Sequence, residues 1–294
     1  KNGKQVPDID IEAYDEKTYD LISRGDTVCV FQFGTSGGTI DLCKKIKPKN
    51  IEDLANITAL ARPGCSKEVR AGYIDIRNGV KEIEYMHPKL KRAFEKTLGF
   101  ALFEESLLIL VQDLAGWDLH QADSLRKMVK DKGKHPEKVV KIKEQFLKDC
   151  QKNDVSLKDA TKIWVEVIEE FQKYAFNKSH AVLYSFISYL TAYYKAHYPL
   201  EFLTANLIME SRSGLKVEDT NIPKIKQEIR RLGIKILPPD LNKSKMTYSI
   251  LDEQTILTGF ESLKFMSEQA IPNILKRKPY NNFQDFIYKT IDCN

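Results

Sequence analysis

Apolar residues repeat every three to four positions along most of the chain, which predicts a mainly α-helical protein. Alternating or continuous apolar runs at 27–33, 246–251 and 255–260 predict a few short strands. The polar segment 211–223 is the best candidate for a linker. The predicted helices lie near 17–24, 51–60, 94–114, from 118 onward, 137–152, 157–174, 181–198, 225–232, 267–277 and 282–289.

Several helix ends carry recognisable signals. Gly116 ends one helix, and Asp118 with Gln121 has the spacing of a capping box that begins the next. A long aromatic helix starts near residue 177 and stops at Pro199, and either Asn177 or Ser179 can be its N-cap.

The start of this aromatic helix combines an amide, a cation and an imidazole in Asn177, Lys178 and His180. Free N–H groups and the positive end of the helix dipole favour a bound anion, so the pattern is typical of a phosphate site. It is equally typical of a capped helix with a solvated lysine, and residue chemistry alone leaves both interpretations open.

The composition is that of a soluble globular protein, with 42% hydrophobic and 30% charged residues in 294. No apolar run is long enough to span a membrane, and the five cysteines are too scattered for a disulfide framework or a zinc site. We therefore expect reduced, buried thiols and a cytoplasmic location. The chain begins without Met or a signal region, which indicates part of a longer reading frame rather than a secreted protein.

Positive charge is concentrated in one stretch. Residues 124–152 contain ten Lys or Arg against four Asp or Glu, whereas the net charge of the whole chain is +5. Residues 171–202 hold ten of the chain's aromatic residues. Cations beside aromatics are typical of nucleic-acid binding, although a solvated helix face and an aromatic core give the same composition.

Two acidic clusters invite a metal-site interpretation. Asp8, Asp10 and Glu12 could bridge two cations, but no strand precedes them to hold the carboxylates rigid. Glu104 and Glu105 are expected to contact nearby cations or backbone rather than a metal ion. The glycine-rich segment 34–38 lacks the lysine spacing of a phosphate loop.

Seven short sequences occur in an order and spacing that match one known family over nearly the whole chain. They are Val30-Phe31-Gln32-Phe33, Ala59-Leu60-Ala61-Arg62-Pro63-Gly64, Leu114-Ala115-Gly116, Ala122-Asp123 with Leu125-Arg126, Phe176-Asn177-Lys178-Ser179-His180, Lys195-Ala196-His197-Tyr198-Pro199 with Glu201-Phe202, and Gly233-Ile234-Lys235-Ile236-Leu237-Pro238-Pro239-Asp240-Leu241-Asn242. This set resembles the alpha subunit of bacterial DNA polymerase III, the family C replicative polymerase.

The resemblance implies polymerase fingers at 1–210, a linker and closing helix at 211–244, and the incomplete start of a helix-hairpin-helix region at 245–294. A small C-terminal α/β piece would lead into that region. The catalytic, metal-binding aspartates of the family's palm would lie upstream, so Asp8 and Asp10 are not expected to hold Mg²⁺. The complete enzyme would need Mg²⁺, and this chain alone should not polymerise DNA.

Residue by residue, the resemblance implies contacts to the incoming nucleotide from Arg126, Lys127, Asn177, Lys178 and His180. The basic residues expected to contact DNA are Arg62, Lys130, Lys132 and Lys134. The implied partners are primer–template DNA, deoxynucleoside triphosphates, the palm and thumb, and the sliding clamp or other replisome subunits; no membrane is expected. The alternative is a non-catalytic DNA-binding or replisome-interaction module derived from a split or degenerate polymerase.

Some positions depart from the family pattern. Lys127 stands where a second arginine is common, residues 103–106 read Phe-Glu-Glu-Ser in place of Tyr-Gln-Glu-Gln, and Cys65 replaces a proline. Phe265 and Ser267 replace the hairpin glycines. Because backbone N–H groups approach a phosphate closely only where side chains are absent, this change argues against DNA binding by the hairpin.

Overall fold

The computed structural model of the chain describes residues 8–10, 13–34, 36–130, 136–171, 176–215, 219–267 and 269–291. Most of these residues are helical, which confirms the expectation of a mainly α fold. The chain divides into two compact units, Lys1–Asp26 with Ser36–Leu190, and Thr27–Thr35 with Thr191–Asn294. The sequence-based boundary at 210/211 stays a prediction.

The first unit is built from helices around a core centred on α6. Its helices are α1 (Glu16–Ser23), α2 (Gly37–Ile46), α3 (Ile51–Leu60), α4 (Lys67–Arg77), α5 (Lys91–Phe94), α6 (Glu104–Ala115), α7 (Leu119–Lys130), α8 (Pro136–Lys152), α9 (Leu157–Ile163), α10 (Glu169–Phe171) and the first part of α11 (Lys178–His197). A π-helical turn, Trp164–Ile168, joins α9 to α10. Leu110 of α6 is buried in one cluster with Phe146 and Trp164.

The second unit contains the rest of α11 and a small α/β arrangement. Its elements are α12 (Pro199–Ser211), α13 (Ile222–Arg231), β1 (Lys235–Leu237), β2 (Ser249–Asp252), β3 (Thr255–Leu257), α14 (Ala270–Lys276) and α15 (Phe283–Thr290). The strand order is β1-β3-β2, with β1 parallel and β2 antiparallel to β3. Ile256 on the central strand is fully buried against α12 and α13 residues such as Leu203 and Ile229.

The predicted helix ends are confirmed where the capping side chain and the N–H group that it binds lie within a few residues of each other. Helix α3 has the predicted bounds. The N-cap Asn50 accepts a hydrogen bond from the Asp53 N–H at 2.8 Å. The capping box forms before α7, because the Asp118 N–H donates to Gln121 at 3.1 Å and the Gln121 N–H donates to Asp118 at 2.8 Å.

The prediction of a strand at 27–33 is wrong, since these residues form consecutive turns. Cys29 and Gln32 have φ values of 66° and 64°, in the left-handed region. The side chains of Val30 and Phe33 are nevertheless buried. The apolar run at 27–33 therefore reflects the burial of its side chains rather than an extended backbone. A Cβ on Gly34 would lie 2.2 Å from the Thr27 carbonyl oxygen, so this compact loop requires glycine there.

The predicted helix at 94–114 is interrupted. Helix α5 ends at Phe94, α6 begins only at Glu104, and Leu98 and Gly99 between them have φ values of 54° and 89°. The Gly99 N–H donates to the Phe94 carbonyl at 2.9 Å and closes a turn there. The apolar side chains still enter the core through this irregular segment, so their spacing resembles that of one continuous helix.

In the C-terminal part, β3 lies within one predicted strand segment and β2 extends one residue beyond the other, to Asp252, whereas the hydrophobic pattern did not predict β1. Burial of Cys43, Cys65 and Cys150 confirms the expectation for these three thiols, and Cys29 is half-buried. Burial raises the pKa of Cys43 and of Cys150 to about 12. Among the residues that the structure describes, no helix is long and apolar enough to cross a membrane.

Candidate functional site

Helix α11 begins immediately after Asn177, which is its N-cap. The Asn177 Oδ1 accepts a hydrogen bond from the His180 N–H at 2.8 Å, and the Asn177 carbonyl accepts from Ala181 at 3.1 Å. Of the two caps that the sequence allows, the structure therefore uses Asn177. This leaves its side-chain amide nitrogen directed at neighbouring groups.

Two carboxylates from the first turn of α6 meet the start of α11. Both Glu105 oxygens accept from the Lys178 N–H, at 3.0 and 2.8 Å. The Asn177 Nδ2 donates to Glu104 at 3.1 Å and to Glu105 at 2.9 Å. An anionic group thus sits at the positive end of the α11 dipole, as expected electrostatically, and it is a side chain of the protein itself. The expectation that this acidic pair contacts backbone and cations is confirmed.

A short backbone pairing brings α6 and α11 together. Phe103 and Phe176 form an isolated parallel bridge, in which the Glu104 N–H donates to the Phe176 carbonyl at 3.0 Å. The Phe176 N–H donates to the Leu102 carbonyl at 3.4 Å. Phe103 is fully buried. This anchor fixes the first turn of α6 beside the α11 cap.

Arg126 of α7 joins the same cluster. Its guanidinium donates to the Asp123 Oδ1 through Nε and Nη2, at 2.9 and 2.7 Å, and Nη1 lies 3.3 Å from the Glu104 Oε2. The Asp123 hydrogen bonds raise the pKa of Arg126 above its ordinary value. Glu104, whose side chain is only 5% exposed, thereby links Arg126 to Asn177.

Lys127 takes a different position from its neighbour. Its side chain is 70% exposed and pairs with the Asp123 Oδ2 at 2.7 Å. Hydrogen bonds from Lys127 and then Arg126 lower the pKa of Asp123. Among the contacts described for this part of the chain, none connects Lys127 to α11.

A ladder of flat side chains runs along the first two turns of α11. The Arg62 guanidinium carbon lies 4.2 Å from the Phe176 ring centroid, and that ring meets His180 edge-on at 5.5 Å. The His180 and Tyr184 ring centroids are 3.9 Å apart. Beside the ladder, the Lys178 Nζ is 3.5 Å from Glu52 and 5.8 Å above the Phe103 ring. All of these groups belong to the first unit.

The structure therefore brings together most of the residues predicted to bind nucleotide, namely Arg126, Asn177, Lys178 and His180. It adds Arg62, which was predicted as a DNA contact. Lys132 and Lys134 lie outside the described residues, as does the side chain of Lys130.

Sequence reasoning missed the central position of Glu104 and Glu105. Both were recognised only as an acidic pair expected to contact nearby cations or backbone. Their partners, the α11 cap and Arg126, are up to 73 residues away along the chain. No local spacing signals such a contact.

In the part of the chain that the structure describes, no group of three or more His, Cys, Asp or Glu side chains could hold a metal ion. Asp8 and Asp10 are described, whereas Glu12 is not.

Comparisons with known proteins identify the family of the chain. The family model described as the bacterial DNA polymerase III alpha subunit finger domain matches residues 1–154, and the helix-hairpin-helix motif model matches 233–294. The DNA polymerase III subunit alpha of Aquifex aeolicus is 34% identical over 295 residues, covering 99% of this chain and 24% of the relative. Those of Escherichia coli K12 and Bacillus subtilis are 34% and 33% identical, each covering at least 94% of this chain.

The chain spans about a quarter of the length of these curated relatives. The finger-domain match covers more than half of the chain, and the identity extends across the second unit. The chain therefore belongs to the family of bacterial DNA polymerase III alpha subunits, of which it carries the finger domain and a helix-hairpin-helix motif.

Proposed function

We propose that this chain is the finger region of a replicative DNA-directed DNA polymerase, which adds deoxynucleoside triphosphates to a primer 3′ end. The observation that carries the proposal is the convergence of Arg126, Asn177, Lys178 and His180 at the start of one helix. In the complete polymerase, a palm outside this chain supplies the catalytic carboxylates and holds Mg²⁺.

The chemistry of the cluster suits a triphosphate. Arg126 offers a planar fork of donors, the first turn of α11 offers N–H groups and a positive dipole end, and Lys178 offers a cation. Such groups stabilise negative charge on a transferring phosphoryl group without taking part in bond formation. They therefore position the nucleotide and stabilise its charge, and they take no part in forming or breaking bonds.

The ladder of flat side chains beside the Asn177 cap is suited to contact the base of the nucleotide. His180 and Tyr184 present neighbouring rings along α11, tilted by 38° to each other, and the nascent base pair would pack against them. Arg62, stacked on Phe176, would contact a backbone phosphate of the DNA nearest the nucleotide. Lys130, Lys132 and Lys134 would contact DNA phosphates farther from the nucleotide.

The test uses the complete polymerase with Lys178→Ala and His180→Ala combined. Loss of one cation and one ring at the nucleotide should raise the KM for deoxynucleotides at least tenfold, with primer–template affinity changed less than twofold. The matched control is Lys158→Ala with His120→Ala, two exposed residues of the first unit outside the cluster. Small and equal losses in incorporation and DNA binding would mean that Lys178 and His180 serve only the helix start.

The alternative function, a DNA-binding module without catalysis, leads to a different expected result. Such a chain would bind primer–template DNA, yet a polymerase assembled with a palm would show no dependence of incorporation on Arg126 or Lys178. Primer extension with Arg126→Lys separates the two functions, because lysine keeps the charge and loses the bidentate fork.

A further inference from the structure

The anion position at the start of α11 has an occupant. The Glu105 carboxylate accepts from the Lys178 N–H with both oxygens, at 3.0 and 2.8 Å, and from the Asn177 Nδ2 at 2.9 Å. A phosphate oxygen bound at this N–H would need the same position. The carboxylate and the nucleotide therefore cannot both bind there.

The adjacent carboxylates differ in how easily they can move. Glu104 is buried, with its side chain 5% exposed, and it is held between Arg126 and Asn177. Withdrawing it would leave Arg126 without one of its two carboxylate partners. Glu105 is half-buried, and its contacts to α11 are with the backbone of Lys178 and the amide of Asn177. Water can replace these contacts when the Glu105 side chain rotates outward.

We propose that Glu105 is an intramolecular stand-in for the nucleotide phosphate, displaced when the triphosphate binds, while Glu104 remains and positions Arg126 and Asn177. This inference rests on the proposed function. The carboxylate keeps the empty site ordered, and it also competes with every incoming anion. Ligands of low charge displace it poorly, whereas a triphosphate brings several charged oxygens and additional contacts to Arg126 and Lys178. Because every anion at this N–H must displace Glu105 at the same cost, the carboxylate lowers the apparent affinity of all phosphates by one factor, and a triphosphate offsets that loss through its additional contacts.

The decisive variant is Glu105→Gln in the complete polymerase. The amide oxygen can still accept from the Lys178 N–H, so the cap is preserved, but a neutral acceptor holds that N–H less strongly than a carboxylate. We expect the KM for deoxynucleoside triphosphates to fall about fivefold, with kcat unchanged. The inhibition constant of inorganic tripolyphosphate, which has no base, should fall by the same factor. The inhibition constant of inorganic phosphate should fall by that factor too, because it must displace the same carboxylate.

Two controls make this result specific. Glu84→Gln removes the same charge from an exposed position of the first unit and should leave both constants unchanged. Glu105→Ala removes the acceptor altogether and should lower both constants at least as much as Glu105→Gln, provided that its thermal unfolding matches that of the wild type.

An unchanged or raised KM in both Glu105 variants, with normal unfolding, would overturn the stand-in role and leave the proposed function intact. Failure of the proposed function gives a different result. In that case Lys178→Ala with His180→Ala would leave the KM unaffected in the wild-type background, and tripolyphosphate would not compete with the nucleotide.

Discussion

Phe265 has a backbone conformation that is unfavourable for a residue with a side chain. Its φ is 67°, in the left-handed region, and its side chain is 94% exposed. The family resemblance places a glycine here, and the backbone conformation is one that glycine favours. A side chain in this conformation costs about 1–2 kcal/mol, and the exposed ring recovers little of it through burial.

Phe265→Gly should therefore raise the free energy of unfolding by about 0.5–1 kcal/mol, because relief of the left-handed strain exceeds the added freedom of glycine in the unfolded chain. Urea denaturation of the chain measures the change. Phe265→Ala is the matched control, since it removes the ring and retains the strain. If both variants lose stability equally, the ring makes contacts that outweigh the strain.

Most residues of the candidate site were predictable from the sequence, because an amide, a cation and an imidazole at a helix start are typical of a site that binds anions. Asn177, Lys178 and His180 were recognised from a helix start rich in donors, and the structure gathers them with Arg126. Glu105 was not recognised as part of the candidate site, because the Lys178 N–H that it accepts from is 73 residues away along the chain. Only the contact between α6 and α11 reveals its position.

Between elements, a buried ion pair connects α11 to α13. The Lys195 side chain is 1% exposed, and its Nζ lies 2.7 Å from the Glu228 Oε1 and 2.9 Å from the Val28 carbonyl. Arg231 also pairs with Glu228, at 2.7 Å. Burial raises the pKa of Glu228, but hydrogen bonds from Arg231 and Lys195 outweigh it, and the pKa is lowered overall.

Lys195→Met should destabilise the chain by about 3 kcal/mol, because it leaves the buried Glu228 carboxylate and the Val28 carbonyl without their ammonium partner. Urea denaturation at pH 7 measures this effect. Adding Glu228→Leu should recover part of the stability, since a buried pair replaced by apolar groups costs less than a broken one. A double variant as unstable as the sum of the single ones would mean that the pair does not act as a unit.

The pH dependence of this pair follows from the direction of the Glu228 shift. Because the pKa of Glu228 is lower in the folded than in the unfolded chain, its stabilising contribution is complete above the unfolded value of about 4.3 and disappears as the pH falls below it. Lys195→Met should reduce this dependence. Stability measured between pH 7 and pH 3 for both proteins checks the sign.

For secondary-structure elements, the sequence predicted where helices form better than where they are interrupted. Helix α3 and the capping box of α7 depend on groups within four residues of each other, and both were predicted correctly. The interruption between α5 and α6 and the turns at 27–33 were not, because burial of apolar residues gives the same pattern whether the backbone is extended, helical or irregular.

For the molecule as a whole, the basic stretch at 124–152 remains a predicted DNA-binding segment. Replacing Lys130, Lys132 and Lys134 together by alanine should reduce the slope of log affinity against log salt by about three, because each lysine that neutralises a phosphate adds nearly one to that slope. Fluorescence anisotropy with primer–template DNA and the complete polymerase measures the slope.

The comparison for that experiment is Lys67→Ala, Lys91→Ala and Lys158→Ala, which removes the same charge from exposed positions of the first unit outside the basic stretch. An equal change in both triple variants would indicate a general effect of net charge. A change confined to the first would assign DNA binding to residues 130–134.

The sequence by itself determined the helical class, the positions of most helices and the family, because periodicity, capping residues and short ordered motifs are local properties. The tertiary structure alone decided how the site is assembled. A backbone bridge between Phe103 and Phe176 sets Glu104 and Glu105 against the α11 cap and Arg126. Those contacts join residues tens of positions apart, and their energy depends on burial and charge compensation, which exist only once the chain has folded.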